Sequence, residues 1–188
     1  MLKILVPAQE GWDERTEQFV TIGKPTTLQL EHSLISIQKW EQKWHVPYMD
    51  QNRKKSNEEI LDYIRCMTVT QNVDPAVYKN LTPENIEEIS EYINDPMTAT
   101  WFKQEESKGG GRNRQIMTAE LIYYYMIALN IPPEYAKWHI NSLLTLIEVC
   151  TRENARLNGT TPKKGRTEQA RSMREINAAR RAQLNTRG

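Results

Sequence analysis

Residues 118–150 read TAELIYYYMIALNIPPEYAKWHINSLLTLIEVC, and this is the most apolar stretch of the chain. In its first part the apolar residues cover two adjoining helical stripes, a pattern typical of a helix that is buried. Thr118 is suited to the N-cap of this helix, and Glu120 lies in the first turn, where the helix dipole favours a negative charge. The apolar run 121–129 is much shorter than the roughly 20 residues that span a bilayer. The sequence therefore predicts a core helix, and no membrane is expected as a partner.

Pro132 and Pro133 divide this stretch, because proline lacks a backbone donor and fixes φ. We expect them to end the first helix, with Pro133 in the first turn of a second one. From Pro133 onward six residues repeat at the spacing of one buried helical face, namely Ala136, Ile140, Leu143, Leu144, Ile147 and Cys150. His139 lies beside this face, next to Trp138. It is interpreted as a packed or hydrogen-bonded histidine, with a functional histidine as the alternative.

Length, charge and cysteine content indicate one domain with an appendage. The 188 residues suffice for one well-buried core. The net charge of +1 conceals an asymmetry, because residues 163–188 hold eight basic and two acidic side chains, whereas residues 1–162 hold 17 basic and 22 acidic ones. Cys66 and Cys150 both fall within apolar helical patterns, so they are predicted to be buried thiols and not a disulfide. Because no disulfide is predicted, the cysteines favour synthesis inside a cell.

Three short segments near the N-terminus have the composition of strands, namely 2–6, 18–22 and 26–30. They predict a small antiparallel sheet that precedes the helices. The connection 9–17 is polar except for Trp12, and we expect this tryptophan to fold back onto the sheet.

From residue 33 the apolar period becomes helical. Four side chains share one face of the predicted helix, Leu34, Ile37, Trp40 and Trp44. This face is expected to be buried or to bind a partner, because tryptophan is frequent both in cores and in binding sites. Trp40 and Trp44 are therefore candidate partner-binding residues.

Two further helices are predicted from their N-terminal capping residues. Ser56 and Glu59 have the spacing of a capping box, ahead of a helix over about 57–68. Thr82 is suited to a second N-cap, with Pro83 at the first helical position. The buried face of this second helix is predicted to contain Ile86, Ile89 and Ile93.

These patterns predict a mostly α (α+β) fold in three parts. A β element over 1–30 packs on a helical core domain over 31–157, which is followed by a linker and a basic C-terminal arm over 158–188. Two polar segments interrupt the core. The basic loop 50–55 is expected to be solvated, and the glycine-rich segment 103–114 is expected to be flexible.

Three interpretations of the basic arm fit its composition: a nucleic-acid-binding segment, a ligand for an acidic protein surface, and a segment without a partner. The arm has few apolar residues with which to pack, mainly Met173, Ile176 and Leu184. Its candidate partner-binding residues are Lys163, Lys164, Arg171, Arg174, Arg180 and Arg181.

Residue types that carry most catalytic chemistry are sparse in this sequence. His32, His45 and His139 lie on separate predicted elements. The sequence contains no Cys-x-x-Cys, His-Glu-x-x-His, Gly-x-Ser-x-Gly or dinucleotide-binding pattern. The glutamate pairs at 58–59 and 87–88 lie near predicted helix starts, where capping and solvation account for them. The sequence therefore predicts a protein that is not an enzyme and has no catalytic, cofactor or metal site.

Three segments together resemble the tail assembly chaperones of tailed bacteriophages: 28–44 (LQLEHSLISIQKWEQKW), 64–67 (IRCM) and the stretch 118–150. The resemblance implies a non-enzymatic, mostly helical protein, made in the host cytoplasm, that associates with the tape measure protein while a long tail assembles. It also implies self-association or contact with tail-tube subunits as further interactions. The residues that it marks as determinants of fold or partner binding are Trp40, Trp44, Trp138, His139 and Leu143.

Two other classes of protein are compatible with the same residues. One is a structural component of the virion, such as a head-to-tail connector or another tail part, whose basic arm binds neighbouring subunits. The other is a nucleic-acid-binding adaptor that uses residues 163–187. A chaperone should be absent from purified virions and a connector should be retained, whereas an adaptor should bind DNA in a salt-dependent manner.

Overall fold

A computed structural model of the chain describes residues 1–15, 17–22, 24–100, 102 and 116–159, with the backbone alone at 9–13 and 19–22. The predicted glycine-rich segment 103–114 therefore lies outside the described residues, as does the basic arm from residue 160 onward. The chain divides into two compact units, Met1–Glu148 and Val149–Gly188. The groove and the side-chain clusters described below all belong to the first unit.

The described residues form four strands and then five α-helices, in this order: β1 (Leu2–Val6), β2 (Gln9–Asp13), β3 (Gln18–Ile22), β4 (Thr26–Leu30), α1 (Leu34–Trp44), α2 (Asn57–Met67), α3 (Pro83–Asn94), α4 (Ala119–Ala128) and α5 (Ile140–Leu157). Short 3-10 helices lie at Pro75–Asn80 and Pro133–Lys137. The prediction of a mostly α fold with a small N-terminal antiparallel β element is confirmed.

The strands form two antiparallel ladders. The two strands of one ladder, β2 and β3, lie in the sequence between the two strands of the other, β1 and β4. β1 pairs with β4 in a register that places Ile4 opposite Leu28. β2 pairs with β3. The polar connection 9–17 was not predicted to contain a strand, but its first five residues form one, because main-chain pairing does not require apolar side chains. The expected packing of the Trp12 side chain lies outside the described residues.

One face of the β1–β4 ladder belongs to the core. Successive side chains of a strand point to opposite faces, and the alternation is visible here in four buried residues, Ile4, Val6, Leu28 and Leu30. Leu5, on the opposite face, is 62% exposed. The sheet therefore covers the helical part of the core with a single apolar side.

The residues after α2 are fixed to β4 by the main chain. The N–H of Val69 donates to the carbonyl of Gln29, and the N–H of Glu31 donates to the carbonyl of Met67, each at 2.8 Å. An isolated bridge pairs Leu30 with Thr68. Strand β4 thus connects the N-terminal sheet to the C-terminal end of α2.

Helix α1 buries the face that the sequence predicted. Leu34, Ile37 and Trp40 have no exposed surface, and Trp44 is half-buried. The hydroxyl of Ser33 caps the helix by accepting the N–H of Ser36. The apolar period that starts at residue 33 therefore identified both the start and the buried side of this helix.

The capping residues of α2 and α3 act as predicted. Ser56 and Glu59 form the reciprocal capping box of α2. Thr82 caps α3, and the side chain of Asn85 completes a second capping box there. The predicted buried face of α3 is only partly correct, because Ile86 is 37% exposed and Ile93 is half-buried. Of the three predicted isoleucines only Ile89 is buried, and Tyr92 and Asn85 complete the packed side.

Helix α4 differs from the prediction in its burial and in its end. Ile122 and Met126 are buried, but Tyr124 is 61% and Ile127 76% exposed, so only one side of the helix packs. The helix ends before the prolines. Asn130 adopts a left-handed φ of 54°, and the N–H of the next residue donates to the carbonyl of Met126, as in a Schellman motif.

The second predicted helix is interrupted between Lys137 and Ile140. Pro133 begins a 3-10 helix, as its position in a first turn allows, but Trp138 is extended and α5 starts only at Ile140. The N–H of Ile140 donates to the carbonyl of His32 at 2.8 Å, and this tertiary bond replaces an intrahelical one. The predicted buried face continues in α5 at Ile140, Leu143 and Ile147. Leu144 and Cys150 are half-buried, and Cys66 is a half-buried free thiol as well.

Candidate protein-binding groove

A groove of about 230 Å³ lies between α2 and α3 and is called the α2–α3 groove below. Most of its lining is apolar. The lining residues are Tyr48, Lys55, Ile60, Tyr63, Ile64, Ile86, Ile89, Ser90 and Ile93. Five isoleucines form its walls, and three of them, Ile86, Ile89 and Ile93, had been assigned by the sequence to a buried helix face.

The walls of the α2–α3 groove are open to solvent at two isoleucines. Ile60 on α2 is 40% exposed, and Ile86 on α3 is 37% exposed. On α3 the lining residues Ile86, Ser90 and Ile93 follow the spacing i, i+4, i+7 of one helix face. Single exposed apolar residues are common on protein surfaces. A cluster of them in a depression is unusual and is typical of an interaction site.

The floor of the groove is a stack of aromatic rings. The rings of Tyr48 and Tyr63 are stacked with centroids 4.0 Å apart. A 2.5 Å hydrogen bond joins the hydroxyl of Tyr63 to Nδ1 of His32. Burial raises the pKa of Tyr63 well above its usual value, so its hydroxyl stays protonated. The packed rings and the buried hydrogen bond give the groove a preformed floor.

Lys55 lies at the mouth of the α2–α3 groove. Its ammonium is 4.3 Å from the ring centroid of Tyr48 and 6.0 Å from that of Trp40, within the range of cation–π attraction. Burial lowers the pKa of Lys55, and the charge of nearby Arg53 acts in the same direction. The prediction that loop 50–55 is simply solvated is therefore wrong for these two residues.

A buried carboxylate holds the start of α2 in place. Glu59 accepts the N–H of Ser56 at 2.7 Å and pairs with the guanidinium of Arg53. These contacts lower the pKa of Glu59, the Ser56 N–H first and the Arg53 side chain next. The indole N–H of Trp40 donates to the carbonyl of Glu59 at 2.9 Å. The basic loop, α1 and the first turn of α2 are thus joined at one residue.

The three candidate tryptophans have different positions. Trp40 is fully buried, so it is a core residue and has no surface for a partner, contrary to its candidate role. Trp44 is half-buried, and its indole N–H donates to Asp62 at 2.9 Å, which gives it a structural role. Trp138 is 44% exposed and stacks on Tyr135 with centroids 4.2 Å apart. Only this third tryptophan offers substantial surface to a partner.

The basic candidates of the arm, Lys163, Lys164, Arg171, Arg174, Arg180 and Arg181, lie outside the described residues. His139 and Leu143, which the resemblance marks, lie within them. Leu143 is completely buried in α5, in agreement with a role in the fold.

A cluster of histidine and tyrosine was not predicted, because its members are far apart in the sequence. The ring centroids of His32 and His139 are 5.0 Å apart, and those of His139 and Tyr92 are also 5.0 Å apart. Nε2 of His139 donates to the carbonyl of Tyr92 at 3.0 Å, and its Nδ1 accepts the N–H of Asn141 at 3.3 Å. Burial lowers the pKa of both histidines. His139 is thus a packed, hydrogen-bonded histidine, as the sequence favoured.

Among the residues that the structure describes, no group of three or more His, Cys, Asp or Glu side chains is arranged to hold a metal ion. In the same part of the chain no helix is long and apolar enough to cross a membrane. Comparisons with models of known protein families, with curated protein sequences and with solved structures found no match to this chain.

Proposed function

We propose that this chain is a non-enzymatic assembly chaperone of a tailed bacteriophage, which acts in the host cytoplasm by binding the tape measure protein while the tail assembles. The observation that carries the proposal is the α2–α3 groove, a preformed apolar depression with exposed Ile60 and Ile86. The resemblance of segments 28–44, 64–67 and 118–150 to tail assembly chaperones supplies the identity of the partner.

The α2–α3 groove has the properties that a chaperone for an unassembled protein needs. Isoleucine walls attract apolar side chains without demanding one hydrogen-bonding pattern, and each Å² of apolar surface removed from water contributes about 25 cal/mol. The stacked floor of Tyr48 and Tyr63 is ordered before binding, which lowers the entropic cost of association. An apolar face of the tape measure protein would be covered there while the tail assembles.

Co-expression tests this function directly. We expect the full chain to keep the tape measure protein of the same phage soluble and to co-purify with it. The double variant Ile60→Gln, Ile86→Gln should lose most of this binding, because it replaces both exposed walls of the groove. The matched control is Ile127→Gln, which changes an isoleucine on α4 that is 76% exposed and does not line the groove. Equal binding by the double variant and the control would refute the groove as the site.

The protein content of purified virions separates this function from its main rival. A chaperone is expected to be absent from finished particles, whereas a head-to-tail connector or another tail part would be retained. Retention of the chain on DNA that weakens steeply with salt would instead indicate the nucleic-acid-binding adaptor, since such binding releases counterions. Co-purification with the tape measure protein together with absence from virions is the combination that we expect.

A further inference from the structure

The charges around the α2–α3 groove are unevenly distributed. Among the described residues that line the groove, Lys55 is the only charged one. It lies immediately before Ser56, the N-cap of α2, and therefore at the end of the groove where α2 begins. Lys54, its neighbour, is exposed. This end of the groove is positive, while the walls beyond it are apolar.

Within the described part of the chain Lys55 forms no salt bridge. The acids closest to it in the sequence on α2 are Glu58, which is exposed, and Glu59, whose carboxylate is engaged by Arg53 and by the N–H of Ser56. Asp50 accepts the N–H of Asn52. Lys55 is half-buried, and its ammonium faces the ring of Tyr48. Burial lowers the pKa of Lys55, and the charges of Glu59 and Asp50 oppose this shift with a smaller effect. A carboxylate of a partner would replace the hydration that burial removes from this ammonium.

The acidic residues of α3 do not line the groove. Glu84, Glu87 and Glu91 are exposed on α3 at the spacing i, i+3, i+7, which aligns them along one side of the helix. At about 100° per residue this side is turned by about 100 to 160° from Ile86 and lies on the outer side of α3. The favourable contact for an acidic group of a partner in the groove is therefore Lys55.

The size of the groove limits what it can hold. Its volume of about 230 Å³ is below the roughly 300 to 1,000 Å³ that is typical of small-molecule sites. It therefore suits a few side chains of a larger partner. Apolar side chains three or four residues apart on a helix match a groove between two helices.

From these observations we infer that the α2–α3 groove binds an amphipathic helical segment whose apolar side chains, spaced three or four residues apart, contact the isoleucine walls and whose Asp or Glu at one end pairs with Lys55. The inference rests on the proposed role of the groove as a binding site, and it adds the chemical class of the bound segment. A basic segment would place its charge against Lys55 and is disfavoured there.

The first test uses a probe that is independent of the tape measure protein. A displayed library of random 15-residue peptides is selected on the full-length chain, and peptides that also bind the Ile60→Gln, Ile86→Gln variant are removed. We expect the remaining peptides to share an apolar i, i+3 or i, i+4 pair and an acidic residue towards one end. Recovery of peptides without an acidic preference, of basic peptides, or of no groove-dependent peptide would overturn the inference.

The second test measures the Lys55 pair itself with the best selected peptide. Lys55→Gln is expected to weaken peptide binding about fivefold, the upper range for a partly exposed ion pair, whereas Lys55→Arg should retain it. Lys54→Gln is the matched control, because it removes an exposed neighbouring charge. Replacing the acid of the peptide by its amide should cause the same loss and no further loss in combination with Lys55→Gln. Equal losses for Lys54→Gln and Lys55→Gln would contradict the specific pair.

The two proposals fail in different ways. If the tape measure protein does not co-purify but acidic amphipathic peptides bind, the proposed function is wrong and the inference about the groove stands. If it co-purifies and the Lys55 variants leave all binding unchanged, the inference is wrong. A third outcome is that the Ile60→Gln, Ile86→Gln variant changes the sedimentation of the chain in the absence of any partner. A second copy of the chain would then occupy the groove, and the inference would be overturned.

Discussion

The carboxylate of Glu41, in α1, accepts a hydrogen bond at 2.8 Å from the backbone N–H of Ala119, which lies 78 residues further along the chain and begins α4. The other oxygen of this carboxylate accepts the N–H of Tyr48 at 2.7 Å. The first N–H groups of a helix have no acceptor within the helix, and a negative charge there is favoured by the helix dipole. Glu41 therefore joins α1, the following loop and the start of α4, although burial raises its pKa.

We expect Glu41→Ala to lower the free energy of unfolding by about 2 kcal/mol, because it leaves the N–H groups of Ala119 and Tyr48 without an acceptor and that of Ala119 is buried. Urea denaturation measures the change. The control is Glu120→Ala, an exposed acid in the first turn of α4, for which about 0.5 kcal/mol is expected. If both variants lowered the free energy of unfolding equally, the interaction of the negative charge with the helix dipole would account for the effect. The hydrogen bonds of Glu41 to Ala119 and Tyr48 would then contribute nothing further.

Acid should destabilise the fold through His32. Burial, with a smaller contribution from the charge of His139, lowers the pKa of His32 from 6.5 to about 3. The unfolded chain therefore takes up a proton at a higher pH than the folded chain does. The stability that this histidine contributes is complete above pH 6.5 and declines as the pH falls towards 3. Integration of the linkage predicts a loss of about 2 kcal/mol between pH 7 and pH 5.

Chemical denaturation as a function of pH tests this loss. His32→Asn keeps an acceptor near the position of Nδ1 and removes the titration, so its stability should depend less steeply on pH than that of the parent chain. His45→Asn, at an exposed position at the end of α1, is the matched control for the substitution. An identical pH dependence for His32→Asn and the parent chain would show that His32 does not drive the acid sensitivity.

Leu143→Asp is expected to unfold the first unit, since Leu143 has no exposed surface and an unpaired buried carboxylate costs several kcal/mol. Thermal melting followed by circular dichroism is the measurement. Leu157→Asp in the same helix is the control, because Leu157 is 73% exposed and little change is expected. An unchanged melting temperature for Leu143→Asp would be incompatible with a packed α5.

Truncation after Asn158 is expected to leave the melting temperature nearly unchanged and to weaken partner binding. Helix α5 ends at Leu157, Gly159 follows with a left-handed φ of 65°, and the sequence beyond it offers few apolar side chains for packing. A full-length variant with Arg171, Arg174, Arg180 and Arg181 changed to Gln separates the charge of the arm from its length. A fall in melting temperature of many degrees after truncation would show that the predicted domain boundary is wrong.

The starts of α1, α2, α3 and α4 could be predicted from the sequence because they depend on neighbouring residues. The capping box of Ser56 and Glu59 and the N-cap of Thr118 involve hydrogen bonds across three residues, so their spacing alone identifies them. Period analysis also identified the buried side of α1 and the buried core of α5. Strand β2 was missed, since its backbone is stabilised by pairing with β3 and its side chains lack a strand pattern.

The α2–α3 groove and the contacts between distant residues were decided by the tertiary structure alone. Ile60 and Ile86 have the helical spacing of buried residues, and only the way in which α2 and α3 pack determines that an open groove lies between them. In the same way, His32 meets His139, and Glu41 reaches Ala119, because the chain returns to α1 after many residues. Local patterns specify which side of an element is apolar. They do not specify what covers that side, because burial depends on the summed packing of elements that are remote in the sequence.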